Sequence, residues 1–216
     1  MLMIRGEPAT KLVELSETAA LVVIGSVGGS SGARALLGSV ATDLAAGSHC
    51  PVAVIRPIQS GASAVGPVVV VTEPSLSGSP AAVSAAFQAA ADRHADVLVV
   101  DIARPAMRDT ARAVGVDVEA VLDDLGRRYR TGRVRLVTYF GHARTAIEKF
   151  SITAQLVVVG RSRRPRQPHL GDSLRTALRH TRCAVLVVPE GTAALADIRS
   201  VPRHRSEAKA GVPAPV

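Results

Sequence analysis

The chain contains a diverged copy of part of itself. Residues 6–25, GEPATKLVELSETAALVVIG, and residues 141–160, GHARTAIEKFSITAQLVVVG, agree at nine of twenty positions with an offset of 135. The identities include Gly6/Gly141, Ser16/Ser151, Thr18/Thr153 and Gly25/Gly160. A second pair, HCPVAVI (49–55) and RCAVLVV (182–188), matches at an offset of 133, so the later copy is two residues shorter in between. Cys50 and Cys183 occupy equivalent places. One supersecondary unit is used twice, and any fold must house both uses.

Each copy alternates helix and strand. In the earlier one, Leu12, Leu15 and Ala19 recur at helical spacing over 8–19, and residues 20–24 form a short apolar strand. Leu37, Val40, Ala41 and Leu44 share a face of a helix at 36–47, and 51–55 reads as a buried strand. The later copy repeats this with a helix at 143–153, a strand at 155–159, a helix at 173–180 and a strand at 184–188. Ahead of it stand elements the earlier copy lacks: strands at 67–71, 97–101 and 134–140, and helices at 79–93 and 117–130. The pattern predicts an α/β fold. Residues 67–189 form an open, parallel five-stranded sheet with helices on both faces, and residues 1–56 form the C-terminal half of the same fold. PIQSGASAVGP (57–67) is rich in Gly, Pro, Ser and Ala, which makes 57–66 a linker, and 190–216 reads as a disordered tail.

The charge is uneven. Residues 1–66 carry four cationic and four anionic side chains, residues 67–189 eighteen and eleven, and the remainder four and three. Seven of the eight formal net positive charges therefore reside in the complete unit, which can attract phosphates or acidic partners. Nucleic acid is disfavoured, because aromatic residues are 2% of the chain and no recognition motif is present. No apolar run approaches the roughly 20 residues that span a bilayer, and the start, MLMIRGEPATK, lacks a signal-peptide core. Two cysteines far apart fit a reducing cytoplasm, and each begins a buried strand as a small apolar residue.

The sharpest chemical signal follows the strand ending at Ile24. Gly25, Gly28, Gly38 and Ser39 stand in the order G-x2-G-x9-G-S, with Gly25 closing a strand and Gly38-Ser39 opening a helix. Glycines let a backbone pass close to a bulky anion, and a helix N-terminus offers unpaired N–H groups and partial positive charge to a phosphate. Ser39 can add a hydroxyl or cap its own helix. The loop has no Walker lysine and does not follow a first strand as a dinucleotide fingerprint would. The bland alternative is a flexible turn.

LVVIGSVGGSSGARALLGSVATDLAAGSHCPVAVIRP (21–57) resembles the C-terminal half of a universal stress protein domain, and 67–189 resembles a whole one. The resemblance implies the nucleotide-binding α-hydrolase type of fold, sheet order 3-2-1-4-5, dimerisation through the last strand, and in many members ATP bound at the glycine loop. It also implies a tandem protein whose first domain keeps only its back half. Carried across, the binding set is Gly25, Gly28, Gly38, Ser39 and Val40, with ATP, accompanied by Mg, as the cofactor. The adenine and ribose side, an Asp after the first strand and contacts near the second, has no counterpart in the first copy, so its completion would fall to the second copy or to another chain.

The second copy has the opposite fault. Glu73 stands near the family's Asp, within Glu-Pro-Ser (73–75), and its loop GRSRRPRQPHLGDS keeps Gly160 and Gly171 but has Arg163 for the middle glycine and Asp172 for Ser39. A carboxylate there repels a phosphate. Arg161, Arg163, Arg164 and Arg166 on this loop either clamp phosphate or form a solvated surface.

His49, His94, His142, His169, His180 and His204 join no Ser or Cys in a catalytic spacing, so the chain is not expected to be an enzyme, weak ATPase activity being the only catalytic option considered. The half domain leaves the 20–24 strand with an open edge, while pairing of 51–55 with 184–188 would bury one edge of each copy. The expected partners are an adenine nucleotide, a second copy as homo-dimer or an intrachain pseudo-dimer, and an unidentified protein. The competing function is an interaction module whose loops are relics.

Overall fold

A computed structural model describes residues 5–26, 38–56, 65–72, 80–103, 118–161 and 172–191. Among the described residues, runs rich in Val and other apolar side chains build seven strands. These are β1 (Val22–Gly25), β2 (Val52–Ile55), β3 (Val68–Thr72), β4 (Val97–Ala103), β5 (Val134–Phe140), β6 (Leu156–Arg161) and β7 (Ala184–Pro189). Six helices intervene: α1 (Pro8–Leu15), α2 (Ser39–Gly47), α3 (Pro80–Ala91), α4 (Val118–Tyr129), α5 (Ala143–Phe150) and α6 (Asp172–His180). All thirteen elements fall where the sequence places them, with ends shifted by a few residues.

The largest shifts trim the start of α2, expected at 36, and shorten α1 and α5, expected to run to residues 19 and 153. The latter two stop at the repeated serine. Ser16 caps α1, its hydroxyl donating to Val13 O at 2.6 Å and accepting the His49 N–H at 2.8 Å. Ser151 caps α5 and donates to Glu148 O at 3.3 Å. A side chain that takes a helix's last carbonyls ends it, so Ala19 lies beyond α1 and Leu15 is exposed. The core-facing residues of α1 are Ala9, Leu12 and Val13. At its start Pro8 takes the first helical position, and Glu7 accepts the Thr10 and Ala9 N–H groups at 2.7 and 3.2 Å.

The strands form one sheet in the order β1-β2-β7-β6-β3-β4-β5. From β7 to β5 all neighbours are parallel, which is the five-stranded 3-2-1-4-5 arrangement. β1 and β2 are also parallel, Val22 opposite Val52. The join between copies is antiparallel, with Val52, Ala53 and Val54 opposite Val187, Leu186 and Val185. The sheet as a whole is therefore mixed, because the two copies meet head to tail along their last strands.

Two cores follow. On one face α3 and α4 cover Val68, Val70, Val97, Val99 and Val158 around the fully buried Phe87. On the other, α1, α2, α5 and α6 share a single apolar layer in which Leu44 of α2 and Leu178 of α6 are both fully buried. Gly66, at the end of the expected linker, is anchored: Gln155 Nε2 donates to its carbonyl at 2.6 Å. Residues 57–64 and 192–216, the rest of the linker and nearly all of the expected tail, lie outside the described residues.

Candidate functional site at the carboxyl end of β1

The amino end of α2 is held against the carboxyl end of β1. Ser26 N–H donates to Ile55 O at 2.8 Å, continuing the sheet by one residue, and Gly38 N–H donates to Ser26 O at 3.1 Å. Gly38 is the N-cap and Ser39 the first helical residue, with no side chain capping the helix. That corrects the expectation that Ser39 caps its own helix: one position too far along, it is exposed. The N–H groups of Ser39, Val40 and Ala41 have no acceptor within the helix, whose first bond is Thr42 N–H to Gly38 O at 3.1 Å. Partial positive charge gathers there, and no acidic residue stands in the first turn to offset it.

Beside it lies a residue that sequence reasoning passed over. Ser26 is buried, and its hydroxyl has no hydrogen-bond partner among the described residues. A buried hydroxyl without a partner costs free energy, so an acceptor arriving there would be favoured. Its signal in the sequence was only a serine directly after the strand-closing glycine.

The other named positions divide. Gly25 closes β1, and Val40 is half-buried against the core under α2. Gly28 falls outside the described residues, as do Glu73, Gly171, Arg163, Arg164 and Arg166. Gly160 lies in β6, and α6 begins at Asp172.

Arg161 is not at a phosphate site. Its guanidinium donates to the carbonyls of Ala46 and Ser48, at the carboxyl end of α2 in the other copy. Arg56, after β2, makes the converse reach and donates to Leu178 O near the end of α6. Each arginine thus meets the negative end of a helix across the join. Burial presses the Arg56 guanidinium below its ordinary pKa.

The antiparallel join also decides how the two copies relate. The carboxyl ends of β1 and β2 point to one edge of the sheet, and those of β6 and β7 to the opposite edge. The ligand-bearing strand ends of the second copy therefore face away from those of the first. At that far edge Thr72 Oγ1 donates to Asp101 Oδ1 at 3.1 Å, across the register of β3 and β4. Asp101 was unremarked in the sequence although it is the one charged side chain in the apolar run of β4.

Neither cysteine is poised as a nucleophile. Burial raises the Cys50 thiol and pushes Cys183 up to about 11, so both stay protonated at neutral pH. Among the described residues no group of three or more His, Cys, Asp or Glu is placed to hold a metal, and no helix is long and apolar enough to cross a membrane.

The family pattern described as Universal stress protein family matches residues 2–56 and 65–189. Universal stress protein Rv2624c of Mycobacterium tuberculosis is 32% identical over 187 residues, 85% of this chain and 67% of that protein. Universal stress protein Rv2028c of the same organism is 30% identical over 186 residues, 84% and 65% respectively. In solved structures the same fold occurs in a universal stress protein from Archaeoglobus fulgidus, with a TM-score of 0.64 at 19% identity over 86% of this chain and 68% of that one.

Proposed function

We propose, because this chain belongs to the universal stress protein family, that its first copy binds the phosphates of an adenine nucleotide, ATP with magnesium, as a cytoplasmic stress-response protein without catalytic activity. One observation carries the reading: a helix N-terminus without a side-chain cap, tied to the end of β1 through Gly38 and Ser26, stands beside a buried hydroxyl that lacks a partner among the described residues. Backbone N–H groups in such a cradle serve a phosphate oxygen better than they serve water, because the helix has already fixed their direction. The non-catalytic part is supported by the raised thiols of Cys50 and Cys183.

The test is calorimetry of ATP with magnesium on the 216-residue chain, repeated on Gly38→Asp. Among the described residues a Cβ at Gly38 meets only Ser26 O, at 4.0 Å, and the backbone there is ordinary extended chain, so the variant is expected to fold. An Asp N-cap even suits the helix, while its carboxylate takes the N–H groups and repels phosphate. Loss of binding in a folded variant is the expected result; unchanged affinity removes the site.

A second reading, an interaction module, has its own observation in its favour. The β7 edge is taken by β2, and among the described residues β1 ends the strand order with Val23 exposed.

A further inference from the structure

Two buried donors stand together where the first copy's strands end. Gly25 lies opposite Ile55 in the register of β1 and β2, so Ser26 and Arg56, each the next residue, are neighbours across the pair. Side chains alternate along a strand, and Val22, Ile24, Val52 and Val54 face the core that α2 and α6 share, which turns Ser26 and Arg56 to that same side. The contact of Arg56 agrees, since its Nη2 donates to Leu178 O of α6. The amino end of α2 stands on this side too, tied to Ser26 O through the Gly38 N–H.

A guanidinium is costly to hold in such a place. Arg56 is 9% exposed, no carboxylate of the described residues pairs with it, and its Nε has no hydrogen-bond partner among them. The Leu178 carbonyl meets one N–H and brings only partial negative charge, so the cation is out of water without a counter-ion. Ser26 Oγ, buried and without a partner, is the second orphan donor. The second copy has no such pair: at the repeat positions stand Pro189 for Arg56 and Arg161 for Ser26, with Asp172 in the place of Ser39.

We infer that Arg56 is the charged member of the candidate site: it gives its Nε–H to a phosphate oxygen beside those taken by Ser26 Oγ and the N–H groups that open α2, so that the group recognised is a polyphosphate, free or carried on a nucleotide. The inference rests on the phosphate-binding reading of α2 and supplies the cation that reading lacks. Guanidinium and phosphate match in charge and in the geometry of their donors and acceptors, and their attraction is strongest where water is excluded. Arg56 Nε is closed to solvent, so the side chain turns as the anion enters and shifts or exchanges its bond to Leu178 O. Because that bond comes from α6, the phosphate of the first copy rests on an arginine that the second copy positions.

The test is an NMR titration of the full 216-residue chain with inorganic tripolyphosphate, ATP with magnesium, and adenosine. Two sets of signals are followed, the Arg56 Nε–H and the amides of Ser39, Val40 and Ala41. Tripolyphosphate and ATP should move both sets with one midpoint, and adenosine neither. Arg56→Met keeps a side chain of similar length and removes the buried charge, an exchange that folded proteins tolerate, and it should weaken tripolyphosphate binding at the α2 amides by roughly ten- to hundredfold. Arg128→Gln, an exposed charge in the last turn of α4 on the other face, should change that affinity by less than about twofold. Should the Met variant not fold, the Nε–H titration of the parent decides alone. Movement of the α2 amides without the Nε–H, or full affinity in a folded Arg56→Met, overturns the inference and leaves the nucleotide reading standing. Movement of both sets by tripolyphosphate but not by ATP upholds the inference and removes the nucleotide reading. ATP binding without tripolyphosphate binding, or movement of both sets by adenosine, overturns the inference alone, and no movement with any probe overturns both.

Discussion

Ser26→Ala separates the cost of the candidate site from its use. A buried hydroxyl without a partner destabilises a folded protein by about 1–3 kcal/mol, and a methyl group in its place removes that penalty with little change of volume. Taking the low end, about 1 kcal/mol raises the melting temperature of a chain this size by roughly 2–4 °C. If the hydroxyl donates to a phosphate when nucleotide is bound, its loss removes a charge-assisted bond of about 1.5–3 kcal/mol, which is roughly a ten- to hundredfold weaker ATP affinity. Ser48 supplies the control. It is equally buried and its hydroxyl also lacks a partner, but it lies at the other end of α2. Ser48→Ala should therefore stabilise the apo protein and leave ATP binding alone. Thermal unfolding and calorimetry on both variants check this. A Ser26→Ala protein that melts lower than the parent, or that binds ATP as well, refutes the argument.

Three further outcomes follow from contacts elsewhere. Arg161→Ala removes two donors from the carbonyls ending α2 and should cost about 2 kcal/mol in urea unfolding; a change within about 0.5 kcal/mol would show that water replaces them. Gly66→Ala would set a Cβ 2.0 Å from the carbonyl oxygen of Thr153, a backbone atom, and should cost about 2–4 kcal/mol with loss of the Gln155 bond, whereas Gly38→Ala should stay within about 0.5 kcal/mol. Glu7 has its carboxyl held below the ordinary 4.5 by the Thr10 backbone N–H, then by the Thr10 hydroxyl and the Ala9 N–H. A lowered folded pKa means its support of α1 is present above 4.5 and is lost as pH falls through the folded value, so Glu7→Gln should flatten the acid limb of α1 fraying followed by amide exchange. An NMR titration of Glu7 with a midpoint at or above 4.5 would contradict this.

Much of the candidate site was legible before any coordinates. Gly25 and Gly38-Ser39 mark the strand end and the helix start because a chain must turn between a parallel strand and its crossover, and glycine permits the close approach. Ser26 was not legible, since nothing in a serine's sequence context tells whether its hydroxyl will be buried or meet water. Arg161 misled for a related reason. Four arginines in a loop suggest anion binding, but the first belongs to β6 and finds carbonyls of a helix more than a hundred residues away.

The repeat, the order of the elements and the apolar strands follow from local pattern alone, because periodicity and branching at Cβ act over a few residues and the crossover rule then sets neighbours within each copy. The direction of the join between copies is of another kind. An apolar last strand presents the same row of backbone donors and acceptors to a parallel or an antiparallel partner, so nothing in Val52–Ile55 or Ala184–Pro189 specifies which. Tertiary packing decides it: in the antiparallel arrangement α2 and α6 fall on the same face, Leu44 and Leu178 close one core, and Arg56 and Arg161 each reach the carboxyl end of the opposite helix. That choice sends the two ligand edges to opposite sides of the sheet and leaves β1 at the end of the strand order among the described residues.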